Sequence, residues 1–285
     1  MVHRPLSLQQ ALELKRALGA RGVPVAGGTD LIVGIRKGRP APAEMIDLSL
    51  VPDLDGIERV GDQLRVGARV SHARLEVMDL GALAAACETV GGPQIRNLGT
   101  IGGQLGTASP AGDVSVALVA LDATVELASV DGRRTLPLCD FFVGPGRTVL
   151  RPDELVLAVT VPLNRRSAFY KIGKREAVAI SLLMAAVSVD AHGHVAIGIG
   201  CAAPVPMRAR DAEASLRTHG WSAESIDAAA ALVSAEVRPI SDHRGSADYR
   251  RAMAGAVVRR LLTQLWREGA PAASRIGADG ARGTA

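Results

Sequence analysis

The chain has 285 residues, 48% of them hydrophobic but only 2% aromatic, with 33 Lys and Arg against 29 Asp and Glu for a net charge of +4. That length exceeds one typical core and predicts two or three lobes, packed from Ala, Val, Leu and Ile rather than from rings. The basic balance raises nucleic acid as a partner, but the cations are scattered and aromatics to stack bases are almost absent, which excludes it.

Residues 7–19 place Leu8, Ala11, Leu12, Leu14 and Leu18 at helical spacing between a Ser7 cap and Gly19, and predict a short amphipathic helix. Residues 23–26 read as a strand, Gly27-Gly28-Thr29-Asp30 as a tight turn and residues 44–48 as a second strand, so 1–55 is expected to be a small α/β lobe. A second lobe, 56–164, opens on a strand at 64–68. Ser71 then begins a helix continuing through 83–90. Residues 124–129 and 134–138 alternate about Asp131-Gly132 as a hairpin, and 154–161 add a strand stopped at Pro162. From 165 to 268 the grammar changes to strands at 179–190 and 194–201, then helices at 208–219, 222–236 and 246–268. The last helix carries Met253, Val257, Leu261 and Leu265 on one face. Residues 269–285, rich in Gly and Ala without period, are expected to be a disordered tail.

Two glycine-rich stretches carry the chemistry. Residues 95–113 hold Gly99, Gly102, Gly103, Gly106 and Gly112, too many for a helix or strand interior at roughly 0.5–1 kcal/mol each. A loop wrapped around a ligand is expected instead, with the Gly102 and Gly103 amides facing an anion and Thr100, Gln104, Thr107 and Ser109 adding hydrogen bonds. An ordinary surface loop is the alternative. The turn Ala26-Gly27-Gly28-Thr29-Asp30-Leu31 suits a phosphate but lacks both the Lys-Ser/Thr ending of a P-loop and the three-glycine Rossmann spacing. Alone it reads equally as a plain strand–helix turn; the two stretches together would clasp a dinucleotide pyrophosphate.

Cys87, Cys139 and Cys201 are dispersed and form no C-x-x-C pair, which argues against a disulfide framework, an iron–sulfur cluster or a zinc site and predicts reduced thiols in a cytoplasmic protein. The six histidines show no ligand spacing, and no G-x-S-x-G elbow is present. No secretory signal and no apolar run long enough to span a bilayer are expected. What remains is a holder for a cofactor that brings its own chemistry.

Ala26-Gly27-Gly28-Thr29-Asp30-Leu31, Ile95-Arg96-Asn97-x-Gly99-Thr100-Ile101-Gly102-Gly103 and Ala108-Ser109-Pro110-Ala111-Gly112-Asp113 together resemble the FAD-binding medium subunit of the molybdenum hydroxylases, of the carbon monoxide dehydrogenase and xanthine dehydrogenase type. Phe141-Phe142-x-Gly144, Lys174-Arg175-Glu176 and Asp242-x-Arg244-Gly245-Ser246-x-x-Tyr249-Arg250-Arg251 match in order, so the resemblance runs from about residue 5 to residue 268. It implies an α+β chain: a two-lobed FAD-binding domain of the p-cresol methylhydroxylase and vanillyl-alcohol oxidase type, then a C-terminal domain of β-sheet plus helices. FAD is the implied cofactor, held by Ala26, Gly27, Gly28, Thr29, Asp30, Leu31, Thr100, Ile101, Gly102, Gly103, Ala108, Ser109 and Asp113. Tyr170 is expected to cover one ring face and Lys171 to offset the charge of the reduced flavin. The plainer readings are a helix or strand cap at Asp113 and lobe-junction packing at Tyr170.

No metal site is expected in this chain. The implied partners are a large molybdopterin subunit and a small [2Fe–2S] subunit, assembled as a dimer of heterotrimers, with electrons leaving this chain's FAD for NAD+, a quinone or oxygen. The alternatives are a self-sufficient FAD-dependent oxidoreductase of the same superfamily and a non-enzymatic nucleotide-binding module. Gly27→Val or Gly102→Val is expected to abolish FAD retention and leave the fold intact.

Overall fold

The computed structural model describes residues 1–269 apart from Glu176. Of the expected tail, all but Gly269 lies outside the described residues, as does the last residue of the Lys174-Arg175-Glu176 motif. Val2–His3 (β1), Gly22–Val25 (β2) and Glu44–Asp47 (β3) form a parallel sheet in the order β1–β3–β2. The helix Leu8–Leu18 (α1) packs against it, its first turn capped by the Ser7 hydroxyl, which accepts from the Gln10 amide at 3.3 Å. A short helix, Leu31–Arg36 (α2), follows the glycine turn after β2. Ala11, Leu12, Ile46, Leu48 and Leu54 pack with Leu155 and Leu157 of the next sheet, so the first lobe is completed by its neighbour.

The second sheet is antiparallel. Its strands are Ile57–Val60 (β4), Gln63–Gly67 (β5), Thr124–Ser129 (β6) and Gly132–Pro137 (β7), with Phe142–Gly144 (β8) and Arg147–Thr148 (β9) forming a separate small pair before Leu155–Pro162 (β10). The order is β4–β5–β10–β6–β7. The lobe therefore opens on β4, one strand earlier than the sequence suggests. The hairpin forms, with Ser129 opposite Gly132, so that its turn is Val130-Asp131, one residue before the expected Asp131-Gly132.

Between β5 and β6 run five short helices: His72–Glu76 (α3), Ala82–Glu88 (α4), Pro93–Leu98 (α5), Ile101–Thr107 (α6) and Asp113–Ala120 (α7). Here the structure corrects two expectations. The helix from Ser71 is broken in two, and residues 95–113 are helices joined by tight turns rather than a loop. Every residue of α7 is buried. At Gly102 close packing offsets glycine's low helix propensity, because its missing side chain admits the Ala68 backbone.

The third sheet is also antiparallel: Arg165–Gly173 (β11), Ser181–Asp190 (β12), Val195–Gly200 (β13) and Met207–Arg208 (β14), in that order. The nine residues of β11 are a strand the sequence reading missed. One face of the sheet covers α7; a Cβ on Gly198 would lie 2.6 Å from the Val116 carbonyl oxygen, so glycine lets helix and strand approach closely. The other face lies under Arg210–His219 (α8), Ala223–Glu236 (α9) and Ala247–Arg267 (α10). Covered on both sides, β12 is buried from Ser181 to Val189, which is why it reads as an apolar run broken only by Ser181 and Ser188 rather than as an alternating one. Arg208 ties this domain to the preceding one, pairing with Glu213 at 2.5 Å and with Asp122.

Candidate functional site

The turn between β2 and α2 lines a cleft. Gly28 sits at φ +66, which disfavours any side chain. Gly27 is pressed against the end of α5: a Cβ there would lie 1.6 Å from the Leu98 carbonyl oxygen and 2.4 Å from its carbon. Its lack of a side chain thus serves backbone against backbone, not only backbone against ligand. The amides of Gly27, Gly28, Thr29 and Asp30 donate to no protein group among the described residues. Four adjacent N–H donors left free on a cleft wall have the chemistry to meet an anion. Across the cleft, Thr107 Oγ1 donates to the Asp30 carboxylate at 2.9 Å.

The second glycine stretch does not offer its amides in the same way. Gly102 donates to the Ala68 carbonyl at 2.8 Å and Gly103 to Thr100 Oγ1 at 3.1 Å, so both expected anion donors are spent. The Gly102 Cβ would lie 2.7 Å from that of Ala68 and 2.8 Å from the Ala68 carbonyl oxygen, so backbone closes this position too. Thr100 is the N-cap of α6, and Ala108 ends the helix at φ 47. Ser109 Oγ accepts from the Ala111 amide at 3.2 Å and holds the turn leading into α7.

Asp113, the first residue of α7, forms the cleft floor and is only 5% exposed. Its carboxylate accepts from Lys171 Nζ at 2.6 Å, Thr89 Oγ1 at 3.2 Å and Ser181 Oγ at 2.7 Å. Burial pushes the carboxyl above its ordinary pKa, against the pull of the Lys171 ammonium and the two hydroxyls. Lys171 also donates to the Thr89 carbonyl at 2.9 Å, so its charge is matched within the protein. Lys171 and Ser181 come from β11 and β12 of the C-terminal domain, Asp113 and Thr89 from the helices before it. The floor is shared.

Strand alternation separates Lys171 from its neighbour. Tyr170 points to the opposite face of β11, packs into the core beneath α10 and carries the Arg260 guanidinium 4.2 Å from its ring centre. The expected ring cover is therefore not in the cleft. Ile101 and Ala108 are likewise buried away from it, as core residues. Ala26 through Leu31, Thr100, Gly103, Ser109, Asp113 and Lys171 line a cavity of about 430 Å³. Gly102 lines a second one of about 610 Å³, on the other side of the turn. Pro24, Ala26, Asp30, Leu31, Gly103 and Thr107 border both, forming a waist between them.

Sequence reading left out several cleft residues: His72 and Ser181 in the first cavity, Lys37, Arg39 and Arg69 in the second. Ser181 carried a signal, as a hydroxyl interrupting an apolar run; His72 carried none. Near the cleft, Asp242 accepts from Arg250 at 2.7 Å and from the Arg244 amide at 2.8 Å, which holds its carboxyl well below the usual range. These bonds tie α10 to the loop before it. Among the described residues no group of three or more His, Cys, Asp or Glu could hold a metal ion, and no helix is long and apolar enough to cross a membrane.

Residues 1–164 match the family described as the FAD binding domain in molybdopterin dehydrogenase, and residues 168–265 match the CO dehydrogenase flavoprotein C-terminal domain. The chain belongs to the FAD-binding subunits of the molybdopterin dehydrogenases. This FAD-binding subunit is 35% identical over 255 residues to the nicotine 6-hydroxylase medium subunit of Paenarthrobacter nicotinovorans, covering 84% of this chain and 88% of that one. It is 30% identical to the carbon monoxide dehydrogenase medium chain of Hydrogenophaga pseudoflava, over 93% and 96% of the two chains. The solved structure of carbon monoxide dehydrogenase from the same organism, lacking the Mo-pyranopterin moiety, superposes with a TM-score of 0.87 at 32% identity, covering 93% of this subunit and 96% of that chain. Quinoline 2-oxidoreductase from Pseudomonas putida 86 gives 0.87 at 26% identity, over 95% and 98%. The FAD-binding subunit is thus part of an oxidoreductase, FAD is its cofactor, and molybdopterin and iron–sulfur clusters reside in other subunits of such complexes.

Proposed function

We propose that FAD lies across the waist of the cleft, and that the subunit relays electrons from the [2Fe–2S] clusters of a small partner subunit to NAD+, a quinone or oxygen. The observation that carries this reading is the run of four unpartnered amides from Gly27 to Asp30 between two cavities. A pyrophosphate bound there is met by N–H donors, with the Thr29 hydroxyl beside them. The lobes 1–55 and 56–164 close on the cofactor from two sides, while domain 165–268 contributes Lys171 and Ser181. The flavin ring and ribityl chain belong in the 430 Å³ cavity above Asp113, and the adenosine in the 610 Å³ cavity near Lys37, Arg39 and Arg69. Both volumes fall within the range of ordinary ligand pockets.

When bound, FAD supplies reversible electron storage between a donor cluster and an external acceptor. The protein's own contribution is positional. Asp113 and Lys171 place a compensated pair of charges at the floor, and Thr107 with Asp30 closes the waist. Substrate hydroxylation belongs to a large molybdopterin subunit, with the whole assembled as a dimer of heterotrimers in the cytoplasm.

The test is an absorption spectrum of the purified full-length chain, with the released chromophore identified by mass. Oxidised-flavin bands and FAD released on denaturation are expected. A colourless chain that takes up no added FAD overturns the reading.

A further inference from the structure

We propose that His72 is a positioning residue: its Nε2 fixes the orientation of the Gln104 amide, and through it the start of α7 and the pose in which Asp113 meets the cofactor cleft. The inference rests on the cleft's being the FAD site, and goes beyond it to the role of a residue at the cavity's edge, which acts through Gln104.

His72 opens α3, and its backbone amide donates to the Gly99 carbonyl at 3.0 Å, stitching α3 to the turn before α6. The imidazole is 3% exposed. Room for it is made by Gly99, where a Cβ would lie 3.0 Å from His72 Cδ2. On one side Nδ1 faces Cys87 Sγ at 4.0 Å; on the other, Nε2 lies 3.3 Å from one terminal atom of the Gln104 amide, assigned as the nitrogen because the other terminal atom faces two N–H donors. In that orientation the Gln104 carbonyl oxygen accepts from the amides of Asp113 and Val114, each at 3.2 Å.

Those two amides need an acceptor. α7 is wholly buried, and its N-cap is Gly112, which has no side chain to offer. The first N–H groups of a buried helix cannot turn to water. Gln104, reaching over from α6, acts as the missing cap. Its amide is symmetric in shape, so nothing steric chooses between its two orientations; hydrogen bonding chooses. Turned round, its NH2 would face two N–H donors and its carbonyl would face Nε2. An accepting Nε2 forbids this and places the ring proton on Nδ1, toward the Cys87 sulfur. Burial holds the imidazole at about 4, so the ring is uncharged at neutral pH, as the arrangement requires. The same α7 residue whose amide is capped carries the carboxylate held by Lys171, Ser181 and Thr89. One chain of hydrogen bonds therefore runs from Cys87 to the C-terminal domain, with His72 setting its direction.

The test compares His72→Gln, whose side-chain oxygen replaces the Nε2 acceptor, with His72→Leu, which fills the space without one. FAD dissociation constants are measured on the full-length chain, with circular dichroism confirming that each variant is folded. His72→Leu is expected to bind FAD about tenfold more weakly, from one buried amide left unpaired, and His72→Gln to bind within about twofold of wild type. Equal affinities for both variants, whether intact or weakened, overturn the proposal, because then the acceptor is not what matters. Should His72→Leu fail to fold, nitrogen NMR of histidine-labelled wild type decides: a proton on Nδ1 of His72 is expected, and a proton on Nε2 overturns it. If wild type takes up no FAD at all, the FAD reading fails, while the NMR result still judges His72.

Discussion

Gly27→Ala sets the role of the glycine turn against a definite geometry. The added Cβ would lie 1.6 Å from the Leu98 carbonyl oxygen, and real Cβ atoms essentially never come within 3.0 Å, so turn and helix end must part by at least about 1.4 Å. Backbone lies on both sides of this contact, and neither side can rotate out of the way. Overpacking costs about 1–3 kcal/mol, and a contact this rigid belongs at the upper end. Loss of roughly 3 kcal/mol lowers the Tm of a domain of this size by about 6–12 °C. The waist widens at the same time, so FAD binding falls with stability. The expectation that glycine substitution here spares the fold is thereby replaced: both should fail together. Gly106→Ala is the internal control. Gly106 lies inside α6 with nothing within 4 Å of its absent Cβ, and it lines the larger cavity. Replacing a helical glycine with alanine is worth about 0.5–1 kcal/mol of added stability. The apo chain should melt higher, while FAD binds more weakly if the adenosine occupies that cavity. The assay is thermal unfolding followed by circular dichroism, with and without FAD. A Gly27→Ala chain with wild-type Tm and full flavin content would refute the reasoning.

Two further outcomes follow from the floor and wall of the cleft. Lys171→Met should destabilise by about 3–5 kcal/mol, because it strands the Asp113 carboxylate in a buried site; adding Asp113→Asn should restore most of that. Denaturant unfolding of the four chains gives the coupling, and additive losses would mean the pair is not one unit. His72 is uncharged when folded, at about 4 against 6.5 when unfolded, so the unfolded chain binds more protons between those values. Its contribution is complete above pH 6.5 and is lost as pH falls toward 4, by roughly 3 kcal/mol at 1.36 kcal/mol per unit. Unfolding at pH 7 and pH 4.5 should show that part of the drop missing in His72→Gln; equal drops in both chains would place the proton elsewhere.

Much of the architecture is legible in the residues. The Ser7 cap, the helical spacing in 246–268 and the two-residue reversal at Val130-Asp131 are local signals, and each element appears within a few residues of its expected place. The failures share a cause, which is that the deciding partner lies far away in sequence. Gly102 looks out of place in a helix until Ala68 arrives to fill the space that a side chain would take. On β11, Tyr170 and Lys171 both invite a place beside a flat cofactor, but strand alternation allows only one of two neighbours to face the cleft. Lys171 takes it, paired with Asp113, and Tyr170 turns to the core, where Arg260 lies over its ring. The glycine turn was found for a reason half right: its amides are free, but Gly27 answers to Leu98.

The shared floor of the cleft bears on how such chains can be recombined. The boundary between the two matched family domains falls between residues 164 and 168, yet the carboxylate on one side and the ammonium on the other form a single ion pair. A chimaera that joins this N-terminal domain to a relative's C-terminal domain inherits Asp113 without a guarantee of its counter-ion. The two positions must travel together, as a lock travels with its key, even though the seam that parts them looks in sequence like a place to cut.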